Sequence, residues 1–428
     1  MNATVLGALF ATLITGNVLG ITLALFGLII IQFMVQANFS VTPIGIWNLF
    51  NNFTFVAVPL FILLGNVLVE TGLAARIYAA LAPLFARLPG KLLQTNIGMA
   101  TVFSAICGSS TATSSVVGAM AYEELVRRGY NRGAVVGSIA GGGTLGILIP
   151  PSISLIIYGS WQGVSIGKLF LAGIVPGLVV SVAFMTYIAL LSYLRPGTVP
   201  RGETVVPLVS ALRGSVFAWP FLVLIFAILG TMFLGLATAT EAAAGGVGAA
   251  ILLAMAYRAF SVARLWRAVY STVQIFGVLA LILIGASILS QALVLSGLPR
   301  DLLVWVGTRG LSDAAVLAAI YLTYLVLGCF LGPVEMMLIT LPFTYPLITG
   351  MGYDPVWFGI ALVILIEVGL LTPPMGINLF VAMAIAKGSV SLIETAIAAL
   401  PYVLLLGVVL VLISIFPAIV MYPLSLVS

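Results

Sequence analysis

The sequence predicts an all-α polytopic membrane protein built from two inverted-topology repeats, each with a re-entrant hairpin and a helix broken at a double proline. Composition, a pair of echoing motifs and the placement of basic charge predict it. Of 428 residues, 62% are hydrophobic and only 6% are charged, against about 25% charged in a soluble domain. So few charges cannot cover a water-facing surface, and the apolar residues must face lipid. Runs at 5–36, 169–194, 216–236, 269–296 and 391–420 each reach the roughly 20 residues that span a bilayer. No Lys or Arg precedes Arg76, so the first run lacks the basic start of a signal peptide and reads as mature chain.

The echoes come next. GILIPP at 146–151 answers GLLTPP at 369–374, and Val69-Glu70-Thr71-Gly72-Leu73 answers Val294-Leu295-Ser296-Gly297-Leu298 at nearly the same distance upstream. A duplicated unit follows, with halves at 1–205 and 206–428 joined by the polar, proline-containing stretch from Arg195 to Arg213.

Basic charge sets the path. Arg76, Arg87/Lys91, Arg127/Arg128/Arg132, Arg195/Arg201/Arg213, Arg258/Arg264/Arg267 and Lys387 all fit the cytoplasmic side, leaving only Lys168, Arg300 and Arg309 of the 16 basic residues outside. Segment 92–126 then has both ends inside. Its legs, at roughly 22 Å each, fall short of the roughly 30 Å hydrocarbon core, and its middle, Cys107 to Ser115, is small and hydroxylated. It reads as a re-entrant hairpin. Segment 311–350, interrupted around Gly328 to Pro333 with flanks poor in basic charge, reads as a second hairpin from the opposite face. Fitting 5–36 as two short spans gives about ten full spans, two hairpins and both termini outside. Segments 73–86 and 298–310 are too short or too charged to span and read as interfacial arms. Trp47, Trp161 and Trp357 sit near span ends as an aromatic belt.

Each hairpin precedes a broken span. The first covers 133–162, interrupted from Gly141-Gly142-Gly143 through Pro151; the second covers 355–386, interrupted from Thr372 to Gly376. Proline removes a donor, clashes with the preceding turn and pushes its predecessor out of helical angles. Freed carbonyls can ligate a cation, and the N-terminus of a half-helix can face an anion. The side chains nearby suit a hard cation such as Na+ with oxygen ligands: Ser109, Ser110, Thr111 and Thr113 at the first tip, Thr144 and Ser152 at the first break, Glu335 and Thr340 in the second hairpin, and Thr372 and Asn378 at the second break. Small residues also serve close helix packing in lipid, yet the run Gly108 to Thr113 exceeds packing needs. Glu335 and Glu367 lie in apolar segments, where carboxylates are costly and usually functional. Glu335 reads as a group that neutralises a cation or carries a proton. Glu241, at an outer span end, reads as a solvated or capping residue.

Other chemistry is excluded or unsupported. The chain has no histidine, so His-based catalysis, His-ligated metals and a serine triad are out. Gly163-Val164-Ser165-Ile166-Gly167 matches GxSxG but, with no base, reads as a loop. No phosphate-loop motif suggests a nucleotide-driven pump. Cys107 and Cys329 form no CxxC and read as packing residues. The net charge of +5 marks the cytoplasmic side rather than nucleic-acid binding. The chain is read as a secondary transporter, not an enzyme.

The motifs CGSSTATSSVVG at 107–118, GGGTLGILIPPS at 141–152, TEAAAGGVGA at 240–249 and GLLTPPMGINLF at 369–380 resemble the large membrane subunit (DctM-like) of tripartite ATP-independent periplasmic (TRAP) transporters, in the family's order and over essentially the whole chain. The resemblance implies sodium-driven import of an organic acid across the bacterial inner membrane. It implies a periplasmic substrate-binding protein that delivers the anionic solute, a small four-helix membrane subunit, and elevator motion of a hairpin-bearing domain. By the same resemblance Gly108, Ser109, Ser110, Thr144, Gly146 and Pro150 line one cation site, and Gly332, Thr372, Pro373 and Gly376 help form another. Relatives often carry an acidic residue where this chain has Gly332; here the nearest carboxylate is Glu335. A self-sufficient sodium–carboxylate symporter of similar architecture would work without a binding protein. An ion-conducting subunit would pass current without solute, and the chain lacks the continuous charged lining of a pore.

Overall fold

The structure, a computed structural model, describes residues 19–35, 41–200 and 206–426; the part of the 5–36 run before residue 19 lies outside the described residues. Among these residues the chain is helical and contains no strand. The first half comprises α1 (Leu19–Ile29), which continues as a π-turn over Ile30–Val35, α2 (Val41–Phe50) and α3 (Ala57–Glu70). It goes on to α4 (Leu73–Phe85), α5 (Leu92–Cys107), α6 (Ser110–Arg127), α7 (Arg132–Leu148), α8 (Ile153–Gln162) and α9 (Ile166–Leu194). After the short α10 (Leu208–Ser215) come α11 (Trp219–Phe233), α12 (Ala239–Ala256), α13 (Val262–Leu295), α14 (Leu298–Thr308), α15 (Asp313–Gly328) and α16 (Pro333–Gly350). The chain closes with α17 (Pro355–Leu370), α18 (Ile377–Ile385), α19 (Leu392–Ile415) and α20 (Ala418–Ser425).

The element order from α4 to α9 recurs from α14 to α19. Each series opens with a short helix capped by a left-handed glycine, Gly72 at φ 76° and Gly297 at φ 76°, a conformation that costs glycine nothing. Two hairpin legs follow, then two pieces of an interrupted span, then a long helix. The legs of the first hairpin hold 16 and 18 residues, and those of the second hold 16 and 18.

Seven helical stretches among the described residues are long and apolar enough to cross a membrane. The expected count was higher because 355–386 divides into two short pieces and 20–33 is itself short. Burial separates two kinds of span. In Arg132–Gln162 the most apolar window is 94% buried, whereas in 166–194, 208–233, 239–256 and 392–415 it is 33% buried. The latter present apolar side chains outward, as lipid-facing helices must. The interrupted span is enclosed in protein, which is where non-helical backbone survives at membrane depth.

The break itself is shorter than the sequence suggests. Gly141, Gly142 and Gly143 were expected to belong to it, yet α7 runs through them to Leu148. They are packing positions: a Cβ at Gly141 would meet the Tyr402 ring at 2.4 Å, and one at Gly143 would collide with the Ser114 hydroxyl. Elsewhere, too, glycine sets the approach of helices. A Cβ at Gly146 would lie 2.5 Å from the Ser109 carbonyl oxygen, one at Gly369 would lie 2.7 Å from Gly328 Cα, and one at Gly27 would lie 2.7 Å from the Leu289 amide nitrogen. Such contacts replace the hydrophobic driving force that lipid cannot supply between helices. Smaller expectations resolve similarly. Glu241 closes a capping box with Thr238 at the start of α12. The GxSxG match is a helix junction, with Gly163 ending α8 in the left-handed region and Ser165 capping α9. Gly369→Ala should therefore lower the thermal midpoint of the detergent-solubilised protein, at a cost of about 1–3 kcal/mol for overpacking. Gly407→Ala, which meets nothing within 4 Å, should leave the midpoint unchanged or slightly raised in the same scan.

Candidate functional site

The two hairpin tips are pinned to the two breaks by matching backbone hydrogen bonds. The Ile153 amide donates to the Gly108 carbonyl at 3.1 Å, and the Met375 amide donates to the Cys329 carbonyl at 3.0 Å. In each case the last carbonyl of the first hairpin leg accepts from the chain just beyond a proline pair. Both halves thus satisfy, inside the protein, backbone groups that the break would otherwise orphan. Gly108 takes φ 62° to turn the first tip. Ser109 then caps α6 and Ser152 caps α8, the latter also donating to the Ile147 carbonyl at 2.5 Å.

Between the tips lies a cavity of about 240 Å³. First turns of four helices line it: Ser110 and Thr111 of α6, Ser154 of α8, Val334 and Glu335 of α16, and Ile377 of α18. Four helix N-termini therefore converge on one volume, where aligned peptide dipoles favour negative charge. Last turns reach the same cavity through Gly108, Ile147 and Leu370, bringing carbonyl oxygens. The opposite wall is apolar: Ile62 of α3 and Ile275, Val278, Leu279 and Ile282 of α13. A larger hollow beside Leu28, Pro43, Ile46 and Trp47 is open and almost wholly apolar, so it offers no recognition chemistry.

The expected site residues divide. Gly108, Ser109, Ser110 and Thr111 line the cavity from the first tip, and Gly332 and Glu335 line it from the second. Thr144 and Gly146 are buried just behind, on α7. Pro150 is buried in the first break, but Pro373 is exposed in the second, where Thr372 is half-buried. Thr372, Pro373, Gly376 and Asn378 flank the cavity through Leu370 and Ile377 without lining it. Asn378 is fully buried at the start of α18, which packs on α6 and α7. Two candidates are otherwise engaged. Thr340 bonds the Tyr324 hydroxyl and the Met336 carbonyl inside the second hairpin, and Ser152 is a helix cap.

Glu335 folds back over the start of α16: a Cβ on Gly332 would come within 2.4 Å of its Oε2. Its carboxylate therefore fills the space into which a side chain at 332 would project. Glu367, on α17, is engaged by the first tip instead. It is fully buried on α17 and accepts from Ser110 Oγ of the first tip at 3.3 Å. The sequence marked Glu367 as an intramembrane carboxylate but gave no sign of this partner, 257 residues away.

The oxygens present fit a hard cation. Glu367 Oε2, Thr113 Oγ1 and Asn378 Oδ1 are buried oxygens without a hydrogen-bond partner, although such atoms are normally paired. No cluster of His, Cys, Asp or Glu among the described residues has the makings of a transition-metal site. Hydroxyl, carbonyl and single carboxylate oxygens instead match the preferences of an alkali or alkaline-earth ion.

Comparison with known proteins gives the family. The profile of the family described as "Tripartite ATP-independent periplasmic transporter, DctM component" matches residues 6–419. The chain is 32% identical over 370 residues to the C4-dicarboxylate TRAP transporter large permease protein DctM of Pseudomonas aeruginosa, covering 86% of this chain and 85% of the relative. It is 31% identical over 373 residues to the sialic acid TRAP transporter large permease protein SiaM of Vibrio cholerae, covering 86% and 85%. In fold it is similar to the Alcanivorax borkumensis YdaH transporter, with a TM-score of 0.62 at 16% identity over 87% of each chain. The overlap of Glu335 with residue 332 yields a test within this site. Gly332→Ala and Glu335→Ala should be non-additive in thermal unfolding, the double variant recovering part of the loss at Gly332. The expected coupling is about 0.5–3 kcal/mol, typical of residues in contact.

Proposed function

The chain belongs to the tripartite ATP-independent periplasmic transporter family as its DctM component, the large permease, and we propose that it is the translocation subunit of a sodium-coupled importer of an organic acid in the bacterial inner membrane. The observation that carries the reading is the meeting of four helix N-termini and three helix C-termini at one cavity between the hairpin tips. Amide-rich first turns suit a carboxylate; carbonyl-rich last turns and the serine and threonine hydroxyls suit a small cation. The names of the two relatives, one for C4-dicarboxylates and one for sialic acid, have the carboxylate in common, and that is the group the first turns would hold.

In this reading the two halves are inverted repeats, and the tips with their broken spans form one moving layer. Several bonds tie that layer together, including Lys387 to Glu123 at 2.5 Å and Tyr122 to Ser389 at 2.6 Å. The wall it moves along, α3 and α13, offers only apolar side chains to the cavity. Apolar contacts of that kind are non-directional, so sliding along this wall would exchange one such contact for another. Sodium, when bound, would supply the positive charge that offsets the buried oxygens and the incoming carboxylate. Ser110 and Thr111 would orient the first tip, Glu335 the second, and Gly146 would keep the tip seated close on α7. A periplasmic binding protein would deliver the solute, and a small four-helix membrane subunit would accompany the scaffold.

The test is uptake into sealed vesicles, with a labelled C4-dicarboxylate and sialic acid as probes. The chain alone would be compared with the chain plus its small subunit and binding protein. Uptake that requires all three and an inward sodium gradient is expected; uptake by the chain alone would favour the self-sufficient symporter. Equal uptake with potassium in place of sodium would contradict the coupling. Ser110→Ala and Thr372→Ala should each raise the sodium needed for half-maximal uptake while leaving the amount of inserted protein unchanged.

A further inference from the structure

We propose that Glu367 is the anionic ligand of the first cation layer, so that the cation bound there bridges the two halves of the chain; the inference rests on the cation reading given above. Glu367 sits two residues before Gly369, and Thr144 sits two residues before Gly146, so the GLLTPP and GILIPP motifs place them at equivalent positions. The structure brings this pair together. Glu367 faces Ser110, Thr144 and the backbone of Ile147, and all three side chains are buried.

The hydroxyl protons there are committed. Ser110 Oγ donates to Glu367 Oε1 at 3.3 Å, and Thr144 Oγ1 donates to the Gly141 carbonyl at 2.6 Å. Each hydroxyl keeps acceptor lone pairs, and Glu367 Oε2 has no partner. Three oxygens with unused acceptor capacity thus meet in a water-excluded volume. Among the described residues no Lys or Arg pairs with Glu367: the tyrosines and charged groups on the helices packed around α17, among them Tyr158, Tyr324, Glu335 and Glu394, exchange no hydrogen bond or charge interaction with it. An uncompensated carboxylate in such a place is costly, and a cation among the three oxygens compensates it. Because Ser110 and Thr144 belong to the first half and Glu367 to the second, cation binding would lock the first hairpin tip onto the second broken span.

The measurement is thermal unfolding of the purified chain in detergent, titrated with sodium in a potassium background at constant ionic strength. The wild-type midpoint is expected to rise with sodium. Glu367→Gln keeps the shape and removes the charge; its midpoint without sodium should match or exceed the wild type, and the sodium needed for half of the rise should increase roughly tenfold or more. Glu367→Asp, which keeps the charge on a shorter stem, should fall between them. A wild-type response in Glu367→Gln, with unchanged half-saturation, would overturn the role of Glu367 while leaving sodium binding by this chain intact. No sodium-specific rise in the wild type would overturn this inference and the cation reading together. Should Glu367→Gln not fold, a half-saturation in Glu367→Asp equal to the wild type would overturn the inference, and a raised one would support it.

Discussion

The Gly108 carbonyl accepting from the Ile153 amide, and the Cys329 carbonyl accepting from the Met375 amide, are the contacts on which the rest of the site depends. A membrane protein has no water at depth to satisfy a broken helix. Each proline pair removes intrahelical bonds, and each hairpin tip ends a leg whose last carbonyls lack partners. Pinning one defect to the other answers both needs with a single bond per half. The arrangement also fixes where the helix ends point. With both tips pinned, the first turns of α6, α8, α16 and α18 surround one cavity.

Close packing keeps these elements in register. Glycines at 146, 328 and 369 let backbones touch where any side chain would hold them apart. Along α13 the same device seats α1, through Gly20 and Gly285. One set of contacts joins the hairpins to the broken spans, and the other joins α1 to α13. The cavity wall is wholly apolar on the side of α3 and α13, and its serine, threonine and glutamate side chains all come from the hairpins and broken spans. Motion of the layer, as proposed, would need this asymmetry: rigid contacts within each part and undirected ones across the boundary.

Much of this was legible in the sequence, for reasons that can be named. The proline pairs at 150–151 and 373–374 mark both breaks, because proline acts locally through its own ring. The run from Cys107 to Ser115 marks the first tip, because small hydroxylated residues are poor lipid-facing helix. The four motifs identified the family, and the comparisons agree. Local signals misled where tertiary packing decides. Gly141 to Gly143 look like a helix breaker, but neighbouring Tyr402 and Ser114 leave room only for glycine and the helix continues. Thr340 does not line the cavity, and its hydroxyl bonds Tyr324 within the second hairpin. The partner of Glu367 and the apolar wall from α13 were not legible. The first is a contact between distant segments, and Ile275, Val278 and Ile282 look like any lipid-facing run.

The central claim is that both tips and both breaks form a single cation-ordered site. It is tested most directly by the accessibility of Ser154, which is 2% exposed and lines the cavity from the first turn of α8. With Cys107 and Cys329 replaced by alanine and Ser154→Cys introduced, the labelling rate by a small maleimide would be measured in sodium and in potassium at equal ionic strength. The account predicts markedly slower labelling in sodium, as the tips close over the first turn of α8. Identical rates in the two salts, on protein that labels fully after unfolding, would contradict it.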